Sequence, residues 1–148
     1  MSASPFDVFS TEPSLEVTGI IIDYGRFYFK IARAGGSNAA FAKAMRDKFA
    51  PYTRAIELGE MDTKIGDRLT AEAFAETIVL GWGYVDDAGK KHDGTILGKD
   101  GKEQIKFSVD AAKRLFADLP ELFKDLLKEA QKLANFRRTD VEVAAKNS

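Results

Sequence analysis

Residues 16–34 are written in strand chemistry, and the chain changes to helical spacing after Gly35-Gly36. Val17, Ile20, Ile21, Ile22, Phe27, Tyr28, Phe29 and Ile31 are β-branched or aromatic, which favours extended backbone. Asp23-Tyr24-Gly25-Arg26 separates the two runs with turn residues, so a β-hairpin is expected. Phe27, Phe29 and Ile31 alternate with Tyr28, Lys30 and Ala32, which predicts one buried face. A lone hairpin is marginal in water, so this one needs a body to pack on. The remaining residues supply it.

Past the glycines, Ser37 or Asn38 is a candidate helix cap. Phe41, Met45, Phe49, Tyr52 and Ile56 then follow at spacings of four, four, three and four, one face of a helix, with a kink at Pro51. Asp62 or Thr63 caps the next helix, whose core positions are Ile65, Leu69, Ala73, Ile78 and Leu80. A second cap at Thr70 predicts a break near Gly66, and Leu80–Val85 is read as the helix end. Residues 86–107 are rich in turn signals, with Thr95–Leu97 and Gln104–Phe107 as strands of a small hairpin. Ser108 opens another helix, and Pro120 fits the first turn of the last one. There, Leu122, Leu126, Ala130 and Leu133 form one ridge and Phe123, Leu127, Ala130 and Ala134 a second, with Arg137 and Arg138 at the C-terminal end.

The expected architecture is α+β. An N-terminal arm at 1–15 precedes a single domain at 16–138, with the hairpin at 16–34 packed on a mainly α-helical body at 37–85 and 108–138. A turn-rich insert at 86–107 precedes the C-terminal helices, and 139–148 is a flexible tail. The 148 residues suffice for one domain with a sizeable core. With 45% apolar and 30% charged residues the composition is that of a globular chain. No run of 18 apolar residues occurs, which predicts no membrane-spanning helix. The N-terminus lacks the basic and long apolar regions of a signal peptide, so a cytosolic location is expected.

Chemistry is thinly represented. There is no Cys and one His, which excludes thiol nucleophiles, Cys-based metal sites and sites needing two imidazoles. His92, between Lys91 and Asp93, reads as a solvated loop residue. The Gly94–Lys102 stretch lacks Walker spacing, and no window from Asp86 to Glu103 matches a calcium-binding EF-hand loop. Glu72 and Glu76 share a helical face but read as exposed carboxylates. No catalytic set, cofactor or metal is therefore expected. Net charge runs in blocks: −4 over 1–23, +6 over 24–54, −6 over 55–88 and +3 over 89–148. The adjacent +6 and −6 blocks point to complementarity within the chain or between subunits, and no nucleic-acid face is expected. Trp82 reads first as core and second as a partner contact. The apolar ridge of 119–136 is wider than one antiparallel neighbour needs, which makes Phe123, Leu126 and Leu127 candidate partner-binding positions.

Several segments in order resemble the tail assembly chaperones of long-tailed bacteriophages. They are Gly19–Gly25, Phe29–Gly36, Phe41–Ala44, Pro51–Ile56, Ala75–Trp82, Val85–Gly89, Phe107-Ser108, Leu119–Phe123, Ala134–Arg137 and Ala144–Asn147. The chain departs from the pattern over Lys90–Lys106, where extra Gly-Asp turns predict an inserted hairpin placed to cover Trp82. The resemblance implies a non-enzymatic protein of the infected cell's cytoplasm. It would coat the tape measure protein, keep it soluble, help to recruit tail tube protein and be absent from the mature virion. No nucleic-acid or membrane partner is implied. The alternatives are a tail completion or head–tail joining protein retained in the virion, and a small regulatory or nucleic-acid-binding protein.

Chaperones of that family are often made in two lengths by a −1 ribosomal frameshift. Lys146-Asn147 can be encoded AAA AAC, which after a preceding A is a slippery heptamer. The expectation is a longer form sharing this domain, besides homo-oligomers. Sequencing codons 145–147 and searching for the larger product tests it. A non-slippery sequence with no overlapping −1 frame contradicts it.

Overall fold

A computed structural model describes residues 4–136. The fold is α+β, as expected. Two short helices, α1 (Pro5–Phe9) and α2 (Pro13–Thr18), lead into β1 (Ile20–Asp23) and β2 (Phe27–Ile31). These strands pair antiparallel, with Ile22 opposite Phe29, across the expected turn. Phe29 and Ile31 are fully buried, so the alternation does mark a core face.

Then come α3 (Ala40–Phe49), a 3-10 turn at Ala50–Tyr52 where Pro51 sits, and α4 (Thr53–Glu57). The face expected here is only half-buried, and its last member, Ile56, is 46% exposed. Ser37 does not cap α3; the N-cap is Ala39, with Asn38 Oδ1 accepting from Ala40 N–H. The next helix, α5 (Thr63–Thr77), is capped by Asp62 and runs through Gly66 unbroken. The expected second start fails because the Thr70 hydroxyl donates back to the Gly66 carbonyl at 2.8 Å, a bond a continuous helix accommodates.

Residues 79–85, expected to end the helical body, instead form β3 (Val79–Val85), which pairs with β2. Gly81 and Gly83 face away from the core side of Trp82 and Tyr84. The Tyr28 side chain lies over Gly83 so closely that a Cβ there would collide with it. β4 (Lys91–Asp93) completes a four-stranded sheet ordered β1-β2-β3-β4. His92 therefore sits on a strand rather than in a loop, stacked on Tyr84 at 4.5 Å and bonded to Asp86 at 2.9 Å. The insert is the expected hairpin, β5 (Thr95–Leu97) with β6 (Gln104–Lys106).

Ser108 caps α6 (Val109–Asp118) by accepting from Ala111 N–H, and Pro120 opens α7 (Pro120–Gln131). Leu126 and Ala130 on α7 are fully buried in a core shared with Phe29, Ile31 and Ile78. The Tyr24 hydroxyl, in the hairpin turn, donates to Asp125 on α7 at 2.5 Å. Ala34 N–H donates to the Ala130 carbonyl at 2.9 Å. The hairpin thus packs on helix as anticipated. A 3-10 turn at Leu133–Phe136 closes the described chain. Arg137, Arg138 and the tail at 139–148 lie outside the described residues.

One polar junction ties the arm to this body. Glu16, on α2, is 1% exposed. Its carboxylate accepts from Arg33 Nη1 at 2.7 Å, Ser37 N–H at 2.6 Å, the Ser37 hydroxyl and the Thr11 hydroxyl. Gly36, at φ +60, makes room: a Cβ there would stand 2.5 Å from Arg33 Nη1 and 2.7 Å from Glu16 Oε2. Burial alone would raise the carboxyl pKa. The hydrogen bonds from Ser37, Thr11 and Arg33 outweigh it and hold the value down to about 2, against 4.5. A folded pKa below the unfolded one contributes stability that is full above about pH 4.5 and is lost as pH falls toward 2. Glu16→Gln should cost ~3 kcal/mol in urea unfolding at pH 7, and its deficit against wild type should shrink toward zero at low pH. Equal stability of the two proteins at pH 7 contradicts this role.

Candidate partner-binding groove

Three helices each send one phenylalanine to a common point. Phe74 on α5, Phe116 on α6 and Phe123 on α7 have ring centroids 5.9, 5.4 and 5.6 Å apart, tilted or edge-to-face. Phe41 on α3 adds a fourth ring edge-on to Phe74 at 6.1 Å. Rings in this geometry attract beyond their burial. They hold α5, α6 and α7 apart by their own thickness, and above Phe116 and Phe123 the helices leave a groove of about 590 Å³.

The groove has an apolar floor and a basic rim. Ala71, Phe116, Ala117, Pro120, Phe123 and Leu127 line the floor. Around it stand Lys64, Arg68, Lys113, Arg114 and Lys124, against the carboxylates of Asp67 and Glu72. The small side chains Ala71 and Ala117 keep the space open. One flank is braced by charge. Glu76 on α5 takes Lys48 of α3 and Lys113 of α6, each at 2.9 Å, and Lys48 also reaches Glu72 at 3.8 Å. Burial acts to raise the Glu76 pKa, but the bonds from Lys48 and Lys113 lower it. The bond to Glu76 raises that of Lys113. Glu72 and Glu76 are therefore not lone surface carboxylates; they join the +6 block to the −6 block.

A second concavity of about 250 Å³ lies on the other side of α7, between the sheet, β5 and the α6–α7 connection. Its walls include Phe27, Phe29, Ile96, Leu115, Leu119 and Leu122. The wide apolar surface of α7 thus divides between two hollows.

The residues singled out from the sequence fall in different places. Trp82 is 2% exposed, ringed by Phe29 at 5.7 Å and Phe107 at 5.0 Å, and its indole N–H donates to the Ile105 carbonyl of the insert at 3.1 Å. The insert does cover it. Leu126 is fully buried under the groove. Phe123, 8% exposed, and Leu127, half-buried, both line the floor. Sequence reasoning does not find the α5 side of the groove, or the basic rim, because Lys64, Arg68 and Lys113 are scattered in the chain. Of the alanines on α5 only Ala71 lines the groove, while Ala73 and Ala75 are buried in the core.

Among the described residues no group of three or more His, Asp or Glu could hold a metal ion, and no helix is long and apolar enough to cross a membrane. The family model of the YdaY prophage protein matches residues 36–147. The chain belongs to this family. It is a phage-derived protein. No curated protein and no solved structure matches it. The matched stretch starts at Gly36, so it contains α3–α7, β3–β6 and every residue of the groove, while the arm and the β1–β2 hairpin precede it.

Proposed function

We propose that this prophage protein is a non-enzymatic tail assembly chaperone. It would hold apolar helical segments of the tape measure protein in the α5–α6–α7 groove, keep that protein soluble and help to bring in tail tube protein. In this reading it needs no cofactor, nucleic acid or membrane, works in the cytoplasm of the infected host and is absent from the mature virion. The observation that carries the reading is the groove, an apolar floor with a charged rim at the width left by three packed helices. That is the shape by which proteins take up amphipathic helices, whose apolar side chains repeat at three and four residues. Membership of a prophage family supports a phage partner.

Co-expression with the tape measure protein of the same prophage tests the reading. The tape measure protein should become soluble and co-purify with the chain. Leu127→Asp should reduce recovery about tenfold or more, at a stability cost of only about 1 kcal/mol, because the position is half-buried. Leu126→Asp, in the core, should instead unfold the chain at a cost of ~3 kcal/mol or more. Purified particles should lack the protein by mass spectrometry. Failure to solubilise the tape measure protein, or stoichiometric presence in particles, overturns the proposal; the second result favours a structural tail or joining protein.

A further inference from the structure

The apolar face that ends in Phe49 and Ile56 is left partly uncovered by the fold, and its uncovered end lines a hollow of about 540 Å³. Two helices, α4 and the first half of α5, frame this hollow, joined by the turn that carries Gly59 and Met61. Ile56 is 46% exposed, and Phe49 and Met61 are half-buried. Gly66 stands in the wall, inside α5. Glycine weakens a helix interior relative to alanine, and the packing does not ask for it here. A Cβ at this position would meet one atom, Phe49 Cε1, at 4.0 Å, which is ordinary contact. The missing side chain keeps the hollow open. The charge around the hollow is of one sign. Asp62 and Asp67 line it, Glu57 and Glu60 lie on the chain between Ile56 and Met61, and among the described residues no Lys or Arg lines it. Nearby bases are used elsewhere: Lys48 goes to Glu72 and Glu76, and Arg68 to Glu72. Among the described residues none of the four carboxylates has an ion-pair partner. The α5–α6–α7 groove, on the other flank of α5, has the reverse rim, five bases against two acids. Asp67 and Thr70 stand on the crest between the two.

We propose that the hollow between α4 and α5 seats an amphipathic partner helix whose apolar residues are flanked by lysine and arginine. Two helices and their connecting turn leave the kind of trough that such a helix occupies. Phe49, Ile56 and Met61 supply the apolar contact, and Gly66 lets the partner approach α5 closely. Four carboxylates without a cation meet the flanking bases and select against an acidic helix. These charges are exposed, so binding weakens as salt rises. The two flanks of α5 thus take partners of opposite charge, and this proposal does not rest on what the groove holds.

Fluorescence anisotropy with labelled synthetic helices of about 14 residues tests this. One helix carries leucine at helical spacing with lysine elsewhere, a second has glutamate in place of lysine, and a third has serine in place of leucine. The leucine–lysine helix should bind wild type, and the other two should bind about tenfold or more weaker. Gly66→Leu fills the hollow from inside α5 and should weaken binding by about the same factor, while melting at or above the wild-type temperature. Glu60→Lys/Asp67→Lys, at exposed positions, should weaken it likewise. Leu127→Asp, across α5 in the groove, should leave binding within about twofold of wild type. If Gly66→Leu does not fold, Ile56→Ser, at a half-exposed position, decides in its place. Absence of binding by the leucine–lysine helix, equal binding by the glutamate or serine helix, or full binding by the folded hollow variants overturns the proposal. So does a loss caused by Leu127→Asp alone, which puts the helix in the groove. Peptide binding in the hollow without solubilisation of the tape measure protein would overturn the proposed function while leaving this proposal standing, and the reverse result would do the opposite.

Discussion

The Phe74–Phe116–Phe123 triangle sets the spacing on which the helical half of this fold depends. Each ring comes from a different helix, so no two of α5, α6 and α7 can close together without displacing the third. Each contact contributes about 0.5–1.5 kcal/mol beyond the burial of the rings. Below the triangle, Leu126 and Ala130 carry α7 onto the core face of the sheet, where Phe29, Ile31 and Trp82 wait. Above it lies the groove. Floor and core are two sides of one set of rings, which is why Phe123 is mostly covered.

Charge organises the outside of this frame. The acidic block at the N-terminus supplies Glu16 to Arg33 of the basic block that follows. That basic block supplies Lys48 to Glu72 and Glu76 of the second acidic block, and Lys113 joins from the last block. The Glu76 contacts are partly exposed, so solvent screening leaves each worth about 1 kcal/mol or less. The Glu16 junction is different in kind, since a buried carboxylate without its donors would be costly. It reaches across the boundary of the family match, from the arm to Ser37 just inside the matched stretch. It adds a buried polar tie to the β2–β3 ladder that already joins the segment before the matched region to the rest of the fold.

The parts legible in the sequence are those where a local rule and the tertiary fold agree. Alternation at Phe27, Phe29 and Ile31 marks the hairpin because one face of β2 alone meets the core. Asp62, Ser108 and Pro120 mark helix starts because a cap needs only its own neighbours. Trp82 is misread as a helix end because Gly81 and Gly83 look like breakers. Gly83 in fact leaves room on a central strand for Tyr28 of the neighbouring strand, a requirement that no local window contains. Thr70 and Ser37 are cap residues by type, but one bonds back into its own helix and the other is taken by Glu16, twenty-one positions away. The α7 half of the groove is visible as excess apolar width. The α5 half and the rim are not, because they exist only once three helices meet.

In the proposed function, the groove floored by the aromatic triangle and rimmed by bases is the part of this fold that would hold the tape measure protein. Hydroxyl-radical footprinting of the chain alone and with the tape measure protein of the same prophage tests that connection at the residues concerned. If an apolar helix lies in the groove, protection will concentrate on residues 64–72 and 113–127, with Pro120 and Leu127 most affected and the outer face of the sheet unchanged. Protection of the sheet face around Ile21 and Lys30, with α5, α6 and α7 labelled as in the free chain, would contradict it.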